Sequence, residues 1–248
     1  MKIISLNVNG IRAASRRGFL KWLKEENPDI ACFQEIKSQE TQKSLFSDYL
    51  EITNSAQRKG YSGVAVFAKI KPRQIFQNLG LKRFDQEGRI LELDFSNFSL
   101  INLYLPHGAR DKRNLSYKLA AYQHLLNKLD RLKNKNLILA GDFNIAHQEI
   151  DLARPKQNQN NIMFTPKERL QLDKLVHLGF VDSFRKFNQK DGNYTWWPYR
   201  QSVRAKNIGW RLDYIFVSKS LAPKLKRAFI LKEVSLSDHC PIGVEINL

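Results

Sequence analysis

The chain has 248 residues, 42% hydrophobic and 11% aromatic. That much apolar surface can offset the entropy of ordering, which excludes a disordered polypeptide. Its 41 Lys and Arg against 24 Asp and Glu leave a formal charge of +17, which favours polyanions: nucleic acid first, an anionic membrane second.

In chain order, residues 2–8 read as a strand, and a helix over 15–26 stops before Asn27-Pro28. Strands follow at 29–34, 63–69, 90–95 and 98–105, rich in Ile, Leu, Val and Phe and bounded by turn residues. Leu115, Leu119, Tyr122, Leu126 and Leu129 recur at helical spacing. A further strand is expected at 137–140. Residues 154–161, R-P-K-Q-N-Q-N-N, read as a surface loop. Thr165, Pro166 and Glu168 form a capping-box start for a helix that Gly179 ends. Strands at 212–218, 227–231 and 242–246 complete the chain. Strands with few tight hairpins and interspersed helices suggest stacked sheets covered by helices, here one domain over 1–248. Cys32 and Cys240 each lie in an apolar run and read as buried reduced thiols. No run of ~18 apolar residues is present to span a membrane. Residues 1–6 lack the pattern of a signal peptide. A cytoplasmic rather than secreted protein is expected, nucleoid-associated if bacterial.

Ligand-type residues recur where apolar strands end: Asn7 and Asn9, Glu35, Asp142 and Asn144, Asp213, and the pair Asp238-His239. Charges at the ends of buried strands are costly unless paired or metal-bound. L-N-V-N from Leu6 and G-D-F-N from Gly141 echo one another, each placing two polar residues one apart so that both can face one site. An oxygen-rich set with one imidazole favours Mg²⁺, with Mn²⁺ as a substitute, over zinc. Acidic groups inside a cationic shell suggest metal-assisted chemistry on a phosphate backbone.

A second signal is N-Y-T-W-W-P-Y-R-Q-S-V-R-A-K-N-I-G-W, residues 193–210. Trp196, Trp197, Tyr199 and Trp210 interleave there with Arg200, Arg204 and Lys206. Such a loop can hold phosphates while an aromatic wall receives an extruded nucleotide. For Trp197 a core position is an equal alternative. Residues 106–113, with His107 and Arg110, form a similar basic element. His124 and His177 read as surface or cap residues, and His147 as structural. Phe19, Trp22 and Leu23 read as helix-to-core packing. Lys24, Lys128 and Lys133 read as solvated helix faces.

The ordered blocks L-N-V-N-G-I-R-A, F-Q-E-I-K, L-Y-L-P, G-D-F-N-I-A-H-Q-E-I-D, G-W-R-L-D-Y-I and S-D-H-C-P resemble the exonuclease III class of apurinic/apyrimidinic (AP) endonucleases, within the endonuclease/exonuclease/phosphatase superfamily. The resemblance implies an α/β four-layer sandwich, two packed mixed β-sheets flanked by helices. It implies hydrolysis of the phosphodiester 5′ to abasic sites in duplex DNA, with 3′→5′ exonuclease and 3′-phosphatase or phosphodiesterase activity. Glu35 would be the main metal ligand, with Asn7 and Asp238 nearby and Asp142, Asn144 and His239 in the same set. Asp142 would position or deprotonate the attacking water, and Asn144 would hold the phosphate. Asp213 would orient His239 on the scissile phosphate, and Tyr104 would lie against the phosphate or assist the leaving group. Trp196 and Trp210 would line the pocket for the extruded sugar. Asn9, His107, Arg110, Arg200, Lys206 and Asn207 complete the expected DNA contacts. Glu149 and Asp151 would shape the site through loop hydrogen bonds. The expected partner is duplex DNA with abasic or 3′-blocked lesions, bound by a monomer and not by way of a membrane. Two positions depart from the family: Asn9 stands where many members have Asp, and His107 where Asn or Gln is common. The charge of His107 is expected to vary near neutral pH.

Two other readings remain open from the sequence. The same framework could serve another phosphoesterase, acting on inositol phosphates, sphingomyelin or nucleic acid without lesion preference. A non-catalytic DNA-binding protein would explain the charge but not the acidic residues.

Overall fold

The computed structural model describes residues 1–39, 48–200 and 202–248. Among these residues twelve strands run in chain order: β1 (Lys2–Asn7), β2 (Ile30–Gln34), β3 (Leu50–Asn54), β4 (Val64–Ala68), β5 (Gln74–Phe76), β6 (Ile90–Asp94), β7 (Ser99–Tyr104), β8 (Leu137–Asp142), β9 (Phe180–Asp182), β10 (Asp213–Ser218), β11 (Leu225–Ile230) and β12 (Ile242–Ile246). They form two mixed six-stranded sheets, ordered β11-β12-β1-β2-β4-β3 and β5-β6-β7-β8-β10-β9. The helices are α1 (Ile11–Arg16), α2 (Phe19–Glu26), α3 (Lys82–Gln86), α4 (Leu115–Leu132), α5 (Pro155–Asn158), α6 (Pro166–His177) and α7 (Ser183–Phe187). The expected four-layer sandwich is the observed one.

Strand alternation builds the layers. Ile3, Cys32, Ile138, Ala140, Ile215 and Val217 point between the sheets. Their neighbours Ile4, Leu6, Ala31 and Phe33 pack outward with Phe19, Trp22 and Leu23 of α2. Leu137, Leu139, Tyr214 and Phe216 pack outward under α4 and α6. Each sheet has a parallel pair at its centre, β1 with β2 and β7 with β8. The first pair is bridged by α1 and α2, the second by α4. The L-N-V-N and G-D-F-N echo therefore falls on the central strands of the two sheets.

Every strand expected from the sequence is present, within two residues at each end. The strands not anticipated are β3, β5 and β9. β5 is exposed throughout, β3 has one buried residue, and β9 is three residues long, so none carries a sustained apolar pattern. Three helical expectations need correction. The helix over 15–26 is two helices, because Gly18 takes a left-handed φ of 91° and caps α2. Residues 154–161 hold α5, with Pro155 at its first turn and Arg154 left-handed at its cap. The buried stripe of α4 runs through Lys118, Ala121, Tyr122, Leu125, Leu126 and Leu129, so Leu115 and Leu119 flank it rather than lie on it. Lys128 is also less solvated than expected, pairing with Glu92 at 2.6 Å. The α6 capping box forms as the sequence indicates. Both cysteines are buried and free. Among the described residues no helix is long and apolar enough to cross a membrane.

Candidate active site

The inward-facing parity of the central strands continues to their ends, where the side chains change from apolar to polar. Asn7 follows Ile3 and Ser5, Tyr104 follows Leu100 and Asn102, Asp142 follows Ile138 and Ala140, and Asp213 precedes Ile215. Register aligns them across strands: Asp142 pairs with Asp213 on one side and with Tyr104 on the other. Gly141 permits this closeness, because a Cβ there would lie 2.0 Å from the Leu103 carbonyl oxygen. Alternation alone would turn Glu35 away from the cleft. Its φ of +57° breaks the strand after Gln34 and brings the carboxylate round. Asn9 and Asn144 are also left-handed, at φ 44° and 52°. Such backbone is uncommon outside glycine, and here it recurs at one cleft.

Asn7 joins the sheets, its Nδ2 donating to Asp142 Oδ2 at 2.9 Å and to Glu35 Oε2 at 3.2 Å. Lys37 lies 3.1 Å from Glu35 and donates to Asn9 Oδ1 at 2.6 Å. Asp142 Oδ1 accepts from the Asn144 backbone N–H at 2.9 Å. The Asn144 amide donates to Leu105 O at 2.9 Å and Asp142 Oδ2 at 3.1 Å, so both its hydrogens are committed. His239 Nδ1 lies 2.8 Å from Asp213 Oδ2, and its Nε2 lies 3.9 Å from Asp142 Oδ2. Asp238 accepts from Asn9 Nδ2 at 2.9 Å and Trp196 Nε1 at 3.0 Å.

The electrostatics follow from burial. Burial, then the charge of Asp213, raises the Asp142 carboxyl well above its ordinary range. Burial disfavours a charged His239, but Asp213, and then Asp142, outweigh it and hold the imidazolium. Asp238 is pushed up by burial but ends below its usual value, because His239 and hydrogen bonds from Asn9, Trp196 and Ser237 favour the carboxylate. Burial, with Glu35 nearby, keeps the Tyr104 hydroxyl protonated. Its ring lies over the buried Arg89 guanidinium, 4.4 Å from centroid to Cζ.

Asn7, Asn9, Glu35, Tyr104, His107, Asp142, Asn144, Asp238 and His239 all line one cavity of about 290 Å³. A contiguous cavity of about 470 Å³ is lined by Arg110, Arg200, Trp196 and Trp210, and shares His107 with the first. Lys206 and Asn207 line neither. Asn207 instead braces the loop, accepting from Trp197 Nε1 at 3.3 Å and donating to Gly192 O at 2.9 Å. Trp197 is core, 3% exposed. His107 departs from expectation: burial, then Lys118, push its pKa down to about 4, so it is neutral throughout the neutral range. His147 is structural, held by Asp173 at 2.8 Å.

Sequence reasoning missed Lys118, whose Nζ is fully buried. It pairs with Glu168 at 2.6 Å and donates to Asn144 O at 2.6 Å and His107 O at 3.2 Å. Glu168 in turn accepts from the Met163 and Thr165 backbones. This pair ties together three loops that line the cleft. The available signal was a lysine in register with Tyr122 and Leu125 on the apolar stripe of α4. Asp151 acts from further away, pairing with Arg211 at 2.7 Å and Arg185 at 2.5 Å beneath the loop.

Residues 4–239 match the endonuclease/exonuclease/phosphatase family. An exodeoxyribonuclease of Bacillus subtilis (strain 168) is 45% identical over 252 residues, covering 100% of both chains. A DNA-(apurinic or apyrimidinic site) endonuclease of Dictyostelium discoideum is 40% identical over 262 residues, covering 100% of this chain and 71% of that protein. The structure of an AP endonuclease from Archaeoglobus fulgidus superposes with a TM-score of 0.92 at 28% identity, covering 100% of both chains.

Proposed function

Because the chain belongs to the endonuclease/exonuclease/phosphatase family, as a DNA-repair nuclease of the exonuclease III type, we propose that this cleft hydrolyses the phosphodiester 5′ to abasic sites in duplex DNA. The same centre would remove 3′ nucleotides and 3′ phosphates. The observation that carries the reading is the meeting of Glu35, Asp142 and His239 in one cavity, with Trp196 shared by the aromatic and basic cavity beside it.

The donor set fits a hard divalent ion, since carboxylate and amide oxygens dominate it and both thiols are buried elsewhere. Mg²⁺ is the proposed ion, with Mn²⁺ as a substitute. Glu35 would hold it as the principal ligand, with Asn7 and Asp142 beside it and Asp238 further along the cleft. Asp142, Asp213 and His239 also present donor atoms within 4.8 Å of one another. When bound, the ion polarises a phosphate oxygen and offsets negative charge.

Asp142 is the base. Its raised pKa suits proton removal from water near neutral pH, and Asn7 and Asn144 fix its orientation. His239, kept cationic by Asp213, donates from Nε2 to a non-bridging oxygen as phosphorus gains negative charge. Asn144 orients Asp142, and one of its amide hydrogens turns to the phosphate on giving up its 3.1 Å bond. The protonated Tyr104 hydroxyl donates toward the departing 3′ oxygen. His107 contributes as a neutral hydrogen-bonding group. Arg110 and Arg200 meet flanking phosphates while Trp196 and Trp210 wall the space for an extruded sugar. On this reading the enzyme is a single-domain monomer, cytoplasmic, and nucleoid-associated if bacterial.

The test is a panel of duplexes carrying an abasic analogue, a 3′-phosphate nick or a recessed 3′ end, each with and without Mg²⁺. Incision 5′ to the abasic position that a chelator abolishes is the expected result. Hydrolysis of inositol phosphates or sphingomyelin with intact abasic duplex would favour another phosphoesterase, and binding without incision would remove the catalytic reading.

A further inference from the structure

Two buried polar atoms behind the catalytic pair have no hydrogen-bond partner among the described residues: Asp213 Oδ1 and Arg211 Nη1. Their other atoms are fully engaged. Asp213 Oδ2 holds His239 at 2.8 Å. Arg211 Nε donates to Asp151 Oδ1 at 2.7 Å and Nη2 to Asp182 Oδ2 at 2.7 Å. Both residues are at most 2% exposed, so solvent at the surface does not satisfy the remaining atoms. An orphaned buried charge-bearing group is costly, and native interiors seldom leave one.

Arg211 and Asp213 line the same cavity, whose volume of about 10 Å³ is close to what one water requires. Phe184, Ala228 and Ile230 supply much of its apolar wall and Ser183 a further polar side chain, so the two residues with orphaned atoms border one small, mostly apolar space. A guanidinium N–H and a carboxylate oxygen are the complementary partners a water accepts from and donates to.

We propose that one internal water joins Arg211 Nη1 to Asp213 Oδ1, which makes Arg211 a positioning residue for the Asp213–His239 pair. The water extends the Asp151–Arg185–Arg211–Asp182 ion network to the catalytic imidazole. It gives Asp151 and Arg211, which lie in two of the sequence blocks but line neither half of the cleft, a route to the reaction. Asp213 is then fixed through both oxygens, one on His239 and one on the water. The proposal rests on the reading of Asp213 and His239 as a catalytic pair.

A crystal structure of the whole protein should contain a water within hydrogen-bond distance of both orphaned atoms; an empty or apolar-filled cavity there overturns the proposal. Ala228→Leu should fill the cavity from its apolar wall without replacing any charged group. Loss of the water in that variant should lower kcat on abasic duplex about 10-fold, a typical effect for an outer hydrogen-bonding partner, with KM unchanged. It should also move the NMR resonance of the His239 Nδ1 proton, which a purely structural cavity would leave in place. An Ala228→Leu protein that excludes the water yet keeps kcat and that resonance contradicts the proposal. If Ala228→Leu does not fold, the wild-type density decides alone. His239→Asn separates the underlying reading: if it cleaves normally the catalytic assignment fails, whatever the cavity holds.

Discussion

The floor of the cleft and its rim are built by different physics. The floor residues Asp142, Asp213 and His239 are buried, and Asp142 and Asp213 face one another as registered partners across β8 and β10. A one-residue slip of either strand would turn its carboxylate to the opposite face. The rim residues Arg110 and Arg200 are exposed on loops, and Trp196 and Trp210 are held there by backbone bonds to one another. Register therefore fixes the geometry of the floor and loop shape that of the rim; on the proposed function the first would set the chemistry and the second the choice of substrate. Damage to the floor should appear in kcat with binding intact, and damage to the rim in KM.

The largest expected effect lies on the floor. Asp142→Asn and His239→Asn should each lower kcat by about 10²–10³, the usual cost of one preorganised charge or donor, with abasic-duplex affinity retained. Parallel single-turnover and binding assays check this, and equal loss of affinity would blur the division. Next comes the buried tie between floor and rim. Lys118→Met leaves Glu168 without its cation and should destabilise the protein by about 3–5 kcal/mol, read by denaturant unfolding. A cost within experimental error would mean that water replaces the ammonium. On the rim, Trp210→Ala should raise KM for abasic duplex about tenfold, in line with ~1–3 kcal/mol for an aromatic platform, and leave kcat nearly unchanged. A kcat defect there would show that the wall takes part in the chemistry.

A last effect concerns the support beneath both regions. Burial opposes ionisation of Asp151, but Arg211 and Arg185 win and hold it at about 2, below the ordinary carboxylate value of ~3.9. A depressed folded-state pKa adds stability that is complete above about pH 4 and lost as pH falls through 2. Thermal unfolding of wild type and Asp151→Asn should therefore converge between pH 5 and 2. A gap independent of pH would assign the stabilisation to packing.

The floor was largely legible in the sequence because an apolar strand ending in a carboxylate is a local pattern. Asn7, Asp142 and Asp213 could be placed from alternation alone. Glu35 lay where alternation predicts the wrong face, and only its left-handed backbone turns it inward. Lys118 was hidden because a lysine on a helix ordinarily means solvent, and its partner Glu168 lies 50 residues away in sequence. Charge interleaved with aromatics drew Lys206 and Asn207 into the expected DNA contacts. Composition does not reveal which side of a loop faces the cleft, and these two line neither cavity. The neutrality of His107 depends on burial against Lys118, which no local motif encodes.

The central claim is that Asp142 and His239 act on phosphate at one metal-bearing floor. Its most direct test is single-turnover incision of a saturating abasic duplex by wild type and His239→Asn, with Mg²⁺ present or chelated. The account predicts fast incision by wild type with Mg²⁺, a rate lower by about 10²–10³ in the variant at equal occupancy, and none in either after chelation. Incision by His239→Asn at the wild-type rate, or by wild type after chelation, would contradict it.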